Sequence, residues 1–581
     1  MGAVPNPTNT EIAAALDELG DLYELDGAIV HRVVAYRNAA KAIRDAPVSV
    51  VALARQGRAT ELPGVGQTIQ EKVLALADDG AIPAAVRLRE KFPPGLVEMT
   101  RLPGLGPKRA RRLFDELGVD SLESLRLAAE QQRIRTVKGF GAKAEAAILA
   151  GLQVAGAGSD QRQRIVLDRA LAVGEALVEA LRAHPAAERV ELAGSARRMT
   201  DSVKDLDVIA TAHDPRALAR AATALELVES AGTPGEAGVR LRTHTGLPVD
   251  LRIVAPDQFG NLLQHLTGSK QHNMALRDMA VRRGLHVSEY GVLDDASGEA
   301  LRCATEAEVY GLLGLAYIEP ELRENRGELE AAASGGLPDL IAYGVLRGDL
   351  HCHTTASDGT ASIEQMAVAA REAGYEYLAI TDHSASFGFG DELSAERLRA
   401  HVSSIRATRV EGIELLAGSE VNILPDGSLD YDDAALAGLE WVIASVHSSF
   451  RMGSEEMTAR IVRAIEHPLV DAIGHLSGRK IESRAPYAFD SERVIDAAAR
   501  TRTMLEINAS PDRRDVGDVH ARAAAAAGVP IVINCDAHRV GGFEVARYGL
   551  ATARRAWLTA AQVMNTRPWP EVAALLKRNG A

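Results

Sequence analysis

Residues 351–359 read HCHTTASDG: two histidines two apart, then an aspartate five residues after the second. On a strand, His351 and His353 project to one face and Cys352 to the other. Imidazoles beside carboxylates are a ligand set for Zn, Mn or Fe. Downstream, the same residue types close a succession of apolar runs: YLAITDH, LLAGSEVNI, WVIASVH, VDAIGH and PIVINCDAH. With GDLHCH and MLEIN these make seven strand candidates, and stretches such as SIEQMAVAAREAG supply helices between them. Strand–helix alternation from residue 349 onward predicts a β/α barrel. Barrel active sites gather at the C-terminal strand ends. His351, His353, His383, Glu420, His447, His475, Asp536 and His538 fall there, with Asp358 just beyond the first strand. A lone buried histidine is more often a hydrogen-bonded core residue than a ligand, but that reading weakens when it must be repeated at strand after strand. His401, His467 and His520 lie in or beside helices and keep it. Nine ligand-type residues exceed the needs of one ion. Arg479, just after His475, reads equally as a phosphate contact or a solvated surface arginine.

A second acidic pattern is DLD at 205–207. Asp205 and Asp207 share a strand face, and Asp250, in PVDLR, would project from a neighbouring strand. Three converging carboxylates repel one another unless divalent cations sit between them. Mg²⁺ ions there would activate a sugar hydroxyl and neutralise a leaving pyrophosphate. Asp-x-Asp alone is also common on solvated strand edges. GSARR at 194–198 strengthens the catalytic reading: Gly194-Ser195 provides a turn at a helix N-terminus, and Arg198 a charge for a triphosphate.

The N-terminal third is helical. Thr8 and Glu11 form a candidate capping box, after which Ile12, Leu16, Leu19, Leu22 and Leu25 recur every three or four residues. Three related segments follow: LPGVGQTIQEKV at 62–73, LPGLGPKRARRL at 102–113 and VKGFGAKAEAAI at 137–148. Each has the spacing of a helix–hairpin–helix. The pairs Gly64/Gly66, Gly104/Gly106 and Gly139/Gly141 permit a tight turn that exposes backbone N–H groups at a helix N-terminus. Lys72, Lys108 and Lys143 follow them, which favours sequence-independent contact with a nucleic-acid backbone.

At 581 residues, three to five domains are expected. A composition of 46% hydrophobic and 25% charged residues is that of an ordinary soluble protein, and 4% aromatics leave the cores to Leu, Val, Ile and Ala. The net charge of −14 argues at first against nucleic acid, but Arg101, Lys108, Arg109, Arg111 and Arg112 fall within twelve residues without an acid. No apolar run approaches the roughly 18 residues of a membrane span, and the N-terminus lacks a signal-peptide pattern. Cys303, Cys352 and Cys535 form no spaced framework, so a reducing cytoplasm is expected.

The ligand run over about 349–540 resembles the PHP (polymerase and histidinol phosphatase) family, a distorted seven-stranded barrel holding up to three divalent metals (Mn²⁺, Zn²⁺ or Fe²⁺). That resemblance implies one metal on His351, His353, Glu420 and Asp536. It implies a second on Glu420, His447 and His475, and a third on Asp358, His383 and His538. GSARR followed by DLD resembles the nucleotidyltransferase fold, and TGSKQHNMALRDMAVRRGLHVSEYG at 267–291 looks like the thumb of family X DNA polymerases. The motif order resembles the bacterial family X enzymes across nearly the whole chain. It implies a lyase-like helical domain at 1–85, fingers at 86–155, palm at 156–256, α/β thumb at 257–320, linker at 321–346 and PHP barrel at 347–575.

The implied function is gap filling in DNA repair, of the base-excision type, on gapped or primer–template DNA with dNTPs. Mg²⁺ or Mn²⁺ would sit at Asp205, Asp207 and Asp250, and the barrel would be a 3′→5′ exonuclease and an abasic-site endonuclease. By position, Gly194, Ser195 and Arg198 bind the triphosphate, Gly268 lies by the sugar, and Asn273 and Arg277 face the nascent pair and template. Lys72 matches a Schiff-base lysine, with His31 and Tyr36 at neighbouring positions, and family precedent is a cytoplasmic monomer. Departures are His265-Leu266 where Tyr-Phe is frequent, Lys204 before Asp205, Lys270 in place of an acid, and Arg32, Thr68 and Ala84 at phosphate-holding lysine positions. Two other classes compete: a DNA-end-binding protein with relic sites, and a PHP phosphatase. The full carboxylate and ligand sets argue against the first, and the hairpins and GSARR against the second.

Overall fold

The computed structural model describes residues 6–100, 102, 105–156, 164–386 and 393–579. Two compact units emerge. One comprises Met1–Ile165, Arg169–Leu192 and Lys204–Ala255; the other comprises Val166–Asp168, Ala193–Val203 and Pro256–Ala581.

In the first unit, the expected capping box is present. The Thr8 hydroxyl accepts from the Glu11 amide at 3.2 Å, and the Glu11 carboxylate accepts from the Thr8 amide at 2.8 Å. Helix Asn9–Leu25 buries its Ile12–Leu25 stripe against helix Val30–Asp45. In the three hairpins the residue between the glycines (Val65, Leu105, Phe140) is buried, while Gly64, Gly66, Gly106, Gly139 and Gly141 are exposed. Gly64 and Gly139 have φ of +76° and +89°, which require glycine. Gly66 and Gly106 are N-caps of helices Gln67–Asp79 and Pro107–Leu117, and Gly141 precedes helix Ala142–Gly156. Gly104 and Arg101 lie outside the described residues. The unit's five-stranded sheet runs Ala187–Leu192, Leu206–Ala212, Pro248–Ile253, Gly238–Thr243, Val228–Ala231. Only its Leu206–Ala212/Pro248–Ile253 pair is parallel.

In the second unit, helices Phe259–Thr267, Lys270–Val281 and Glu306–Leu312 accompany a three-stranded antiparallel sheet over 285–301. The segment after it packs into the same core through Leu322, Leu329 and Ala332. The seven expected barrel strands all form: β1 Gly348–Cys352, β2 Tyr377–Ile380, β3 Glu414–Asn422, β4 Trp441–Ser445, β5 Ala472–Ile473, β6 Met504–Asn508 and β7 Ile531–Asn534. They pair in parallel and in sequence order, and a single bridge between Cys352 and Ala537 closes the ring.

Period-two alternation divides the strand residues between two cores. Leu350, Tyr377, Leu416, Trp441, Ile443, Met504 and Val532 belong to one; Leu378, Ala417, Val442, Leu505 and Ile533 pack in the other, with residues of the surrounding helices such as Met366, Ile461 and Val494. Glu420, His447, Glu506 and Asp536 continue the first set's parity toward the C-terminal ends. A register shift between Asp349 and Cys352 re-aims β1.

Candidate functional sites

The nine sequence-predicted barrel residues converge. Ligand atoms of His353, Asp358, His383 and His538 lie within 4.8 Å of one another, as do those of His351, His353 and Asp536, and those of His383, Glu420 and His447. His475 Nε2 lies 2.8 Å from Glu420 Oε1, and His447 Nε2 3.2 Å from the same oxygen. Glu420 Oε2 faces His383 Nδ1 at 2.9 Å and His351 Nε2 at 3.4 Å. Asp536 Oδ1 lies 3.2 Å from His353 Nε2 and 3.5 Å from His351 Nε2. Asp358 Oδ2 is 3.3 Å from His538 Nε2 and 3.5 Å from His383 Nε2. His383 and His353 thus serve two clusters each, where the family resemblance assigns each to one.

The donor set fits divalent metals. Two ligands about 2.1 Å from one ion stand roughly 3.0–3.5 Å apart at tetrahedral or octahedral angles, close to the spacings seen. His351 Nε2 and both ring nitrogens of His353 are buried without a hydrogen bond, which is costly unless something else satisfies them. Charge state agrees for part of the set. Burial opposes ionisation of Glu420 and Asp536, but the surrounding imidazoles outweigh it and hold both well below the usual carboxylate range. Burial pushes His353 and His447 down to about 4, with neighbouring imidazoles acting the same way. Ionised acids and neutral imidazoles are the forms that ligate. Burial also opposes the charged forms of His351, His383 and His538, but the surrounding carboxylates outweigh it and raise all three, His383 to about 9, so these imidazoles must give up a proton to a bound metal.

Several supporting residues escape a reading of the sequence. Glu506, fully buried on β6, accepts from His351 Nδ1 at 2.7 Å and from the His475 amide at 2.8 Å. It also accepts from Asn534 Nδ2 at 2.9 Å and Asn508 Nδ2 at 3.3 Å. Asn422 Oδ1 holds His447 Nδ1 at 2.6 Å. Such partners fix tautomer and ring angle; their only sequence signal is a polar residue at inward parity beyond an apolar run. His475 and Asp536 carry φ of +28° and +55°, conformations disfavoured for residues with a Cβ and characteristic of functional sites. His401 is a hydrogen-bonded core residue as expected, 2.8 Å from Asp382. Arg479 is neither a solvated arginine nor free for phosphate. It donates to the Arg513 carbonyl at 2.8 Å and to the Arg514 carbonyl, and pairs with Asp201 at 2.9 Å. Arg513 instead faces the cluster: its Nε is 3.8 Å from Asp536 Oδ2, and its Nη1 is buried without a hydrogen bond.

On the first unit's sheet, Asp207 and Asp250 are direct partners across the parallel pair, and Asp205 immediately precedes the same strand as Asp207. All three are partly exposed. They do not close to the 4.8 Å spacing of the barrel groups. In the second unit, Gly194 has φ +65° and opens the single turn Gly194–Arg197, with Ser195 beside it. The Arg198 guanidinium lies 3.1 Å from Glu324 and donates to the Thr267 carbonyl at 2.5 Å. Its Nη1 lies 3.2 Å from where a Cβ on Gly268 (φ +67°) would sit. Asn273 and Arg277 meet at His265: Asn273 Nδ2 donates to its carbonyl at 2.7 Å, and Arg277 Nη2 lies 3.1 Å from its ring. Lys72 Nζ lies 5.9 Å from the Tyr36 ring centroid and 3.5 Å from the Thr68 carbonyl. Lys108 and Lys143 are exposed, whereas Arg109 and Arg112 donate to the carbonyls of Gly139 and Lys138.

Tandem hairpins, a thumb and a histidine-lined barrel together describe a DNA polymerase joined to a metal-dependent phosphoesterase. Comparison with known proteins agrees. Residues 7–82 match the helix-hairpin-helix domain, 96–153 the SAM-like helix-hairpin-helix tandem, 262–324 the DNA polymerase beta thumb and 349–510 the PHP domain. The DNA polymerase/3'-5' exonuclease PolX of Bacillus subtilis (strain 168) is 38% identical over 573 residues, covering 98% of this chain and 99% of its own. A probable phosphatase of Thermoanaerobacter sp. (strain X514) is 32% identical over 234 residues, covering 38% of this chain and 89% of its own. The chain belongs to the bacterial family X DNA polymerases that carry a C-terminal PHP domain. Both kinds of domain imply divalent-metal use and the hairpins imply DNA binding. No described helix is long and apolar enough to cross a membrane.

Proposed function

We propose that the chain is a DNA-directed DNA polymerase that fills short gaps in DNA repair and carries a metal-dependent 3′→5′ exonuclease in its barrel. The observation that carries this is the convergence of nine ligand-type residues in a chain similar from end to end to a relative bearing both activities in its name. Asp205, Asp207 and Asp250 are the proposed polymerase ligands for Mg²⁺ or Mn²⁺. Gly194, Ser195, Arg198, Gly268, Asn273 and Arg277 are the proposed dNTP and template contacts. The hairpin glycines with Lys108 and Lys143 are the proposed DNA-backbone contacts, with segment boundaries at 85, 155, 256, 320 and 346. We assign a monomer on family precedent. Lys72 is the candidate Schiff-base residue for an abasic sugar.

Bound Mn²⁺, Zn²⁺ or Fe²⁺ would supply Lewis acidity toward water and the phosphoryl oxygens. The chain's own contribution is orientation. Glu506 holds His351, Asn422 holds His447, and Arg513, whose Nη1 is buried without a hydrogen bond, is available to a non-bridging phosphate oxygen.

The test uses a 5′-labelled primer at a one-nucleotide gap with Mn²⁺, with and without dNTPs. Wild type extends with dNTPs and shortens the primer without them. Asp205→Ala loses only extension and His351→Ala only shortening. Absence of both activities from the wild type, or survival of both in both variants, refutes the two-site reading; absence leaves the end-binding alternative.

A further inference from the structure

The GSARR loop is gripped from the barrel side. Within the second unit, residues Ala193–Val203 group with the thumb and barrel rather than with the sheet that follows them in sequence. Arg555, the last residue of helix Ala546–Arg555, donates to the Arg198 carbonyl at 2.8 Å. Arg514, fully buried after β6, donates to the Met199 carbonyl at 2.9 Å and lies 3.4 Å from Asp201. Arg479 pairs with Asp201 at 2.9 Å. The Arg198 side chain is fixed by the same assembly. Glu324 binds Arg198 Nε at 3.1 Å and Arg555 Nη1 at 2.9 Å, while Asp518 holds Arg555 Nη2 at 3.0 Å. Three barrel arginines therefore bind the loop's backbone and its one acid. None of them is among the nine converging residues.

We propose that the barrel positions the triphosphate-binding loop, with Arg555 and Asp201 as positioning residues for the polymerase reaction. This rests on the reading that Ser195 and Arg198 contact the triphosphate. The physical basis is rigidity. A loop that must present a hydroxyl and a guanidinium to a phosphate binds it more tightly when held ready, because less order is lost on binding. Charge-assisted hydrogen bonds to consecutive carbonyls fix a loop more firmly than neutral ones. Arg555→Ala frees the Arg198 carbonyl and leaves Glu324 to draw the Arg198 side chain alone. Arg555→Lys keeps the charge but loses the second arm to Asp518.

The experiment uses full-length protein, single-nucleotide gapped DNA and a titration of one dNTP, for Arg555→Ala, Arg555→Lys and Asp201→Asn. Binding of a non-hydrolysable dNTP analogue is followed by fluorescence anisotropy in parallel. The expected result is a KM and analogue Kd about 10-fold higher in Arg555→Ala, the scale of one hydrogen bond. kcat should stay within about 2-fold, and exonuclease on single-stranded DNA and melting temperature should hold near wild type. Arg555→Lys should recover part of the loss and Asp201→Asn should shift KM the same way. An unchanged KM overturns the proposal, and so does a parallel fall of kcat, exonuclease and melting temperature, which marks general loss of packing. Ser195→Ala and Arg198→Ala are the controls. If they leave KM unmoved, the triphosphate reading itself falls; if they raise it while Arg555→Ala does not, only the barrel's role falls.

Discussion

Glu506→Gln removes one negative charge and changes almost no volume, so its effect isolates hydrogen bonding around the barrel site. The carboxylate accepts four donors: His351 Nδ1, Asn534 Nδ2, the His475 amide and Asn508 Nδ2. Its Oε1 takes the first two and its Oε2 the others, all within 3.3 Å. A glutamine offers one acceptor oxygen and one donor group. If the oxygen faces His351, the NH₂ meets the His475 amide donor to donor. If the side chain flips, His351 loses its acceptor and can move its proton to Nε2, the nitrogen that must carry the ligating lone pair. Either arrangement leaves buried donors unsatisfied, at roughly 1–3 kcal/mol. Loss of such a partner costs about 10–100-fold in metal affinity or activity. The assay is exonuclease on 5′-labelled single-stranded DNA over a Mn²⁺ titration, with metal content measured after dialysis and gap filling as the internal control. The expected outcome is a Mn²⁺ half-saturation shifted up by that factor with extension retained. A folded Glu506→Gln protein with unchanged Mn²⁺ dependence and unchanged metal content refutes the reasoning.

Arg513→Ala should cut exonuclease turnover by about 100-fold, the scale of losing one pre-organised charge on a phosphoryl group, with metal content intact. Arg479→Ala, which removes the ties to Asp201 and two carbonyls, should instead lower melting temperature; reversed phenotypes would exchange their roles. Glu306, buried against Arg197 and Arg323, is opposed by desolvation, but those arginines bring its pKa down to about 2. Its contribution, on the order of 3 kcal/mol, is present above about pH 4.5 and is lost as pH falls toward 2. The stability gap between wild type and Glu306→Gln in urea should therefore narrow below pH 4.5; a gap independent of pH refutes the ionic account. Lys72→Ala should abolish borohydride trapping on a 5′-deoxyribose-phosphate end; undiminished trapping shows that another amine reacts.

What the sequence disclosed and what it hid divide along one line. The barrel was legible because each ligand is appended to its own apolar run, and period two then sends it to a common end. The hairpins were legible because Gly64 and Gly139 adopt backbone that other residues resist. These are local signals. The hidden residues take their roles from partners far along the chain. Glu506 sits in MLEIN, a run with no mark of function, and matters only because β6 brings it against His351, 155 positions away. Arg479 follows closely on His475, which suggested a phosphate, yet its partners are carbonyls 34 and 35 residues on. The stretch LRENRGELE lies in the linker expected at 321–346, but Arg323 and Glu328 are fully buried, paired with Glu306 and His272.

Charge is the property that a linear reading handles worst, because an acid or base looks hydrated until its counter-ion is known. The same point bears on the net charge of −14, which first spoke against DNA. Glu420, Asp536, Asp358 and Glu506 crowd the barrel site, and Glu306, Glu324, Glu328 and Asp518 face arginines or a histidine inside the second unit. Apart from the exposed Asp358, none of these acids stands open to a DNA strand as a surface carboxylate would. Meanwhile Lys108 and Lys143 stay exposed beside the hairpin turns. Reversing those two lysines to glutamate should weaken DNA binding and flatten its salt dependence by about two units of slope. That result would place the DNA-facing charge on a small part of the chain, independent of its sum.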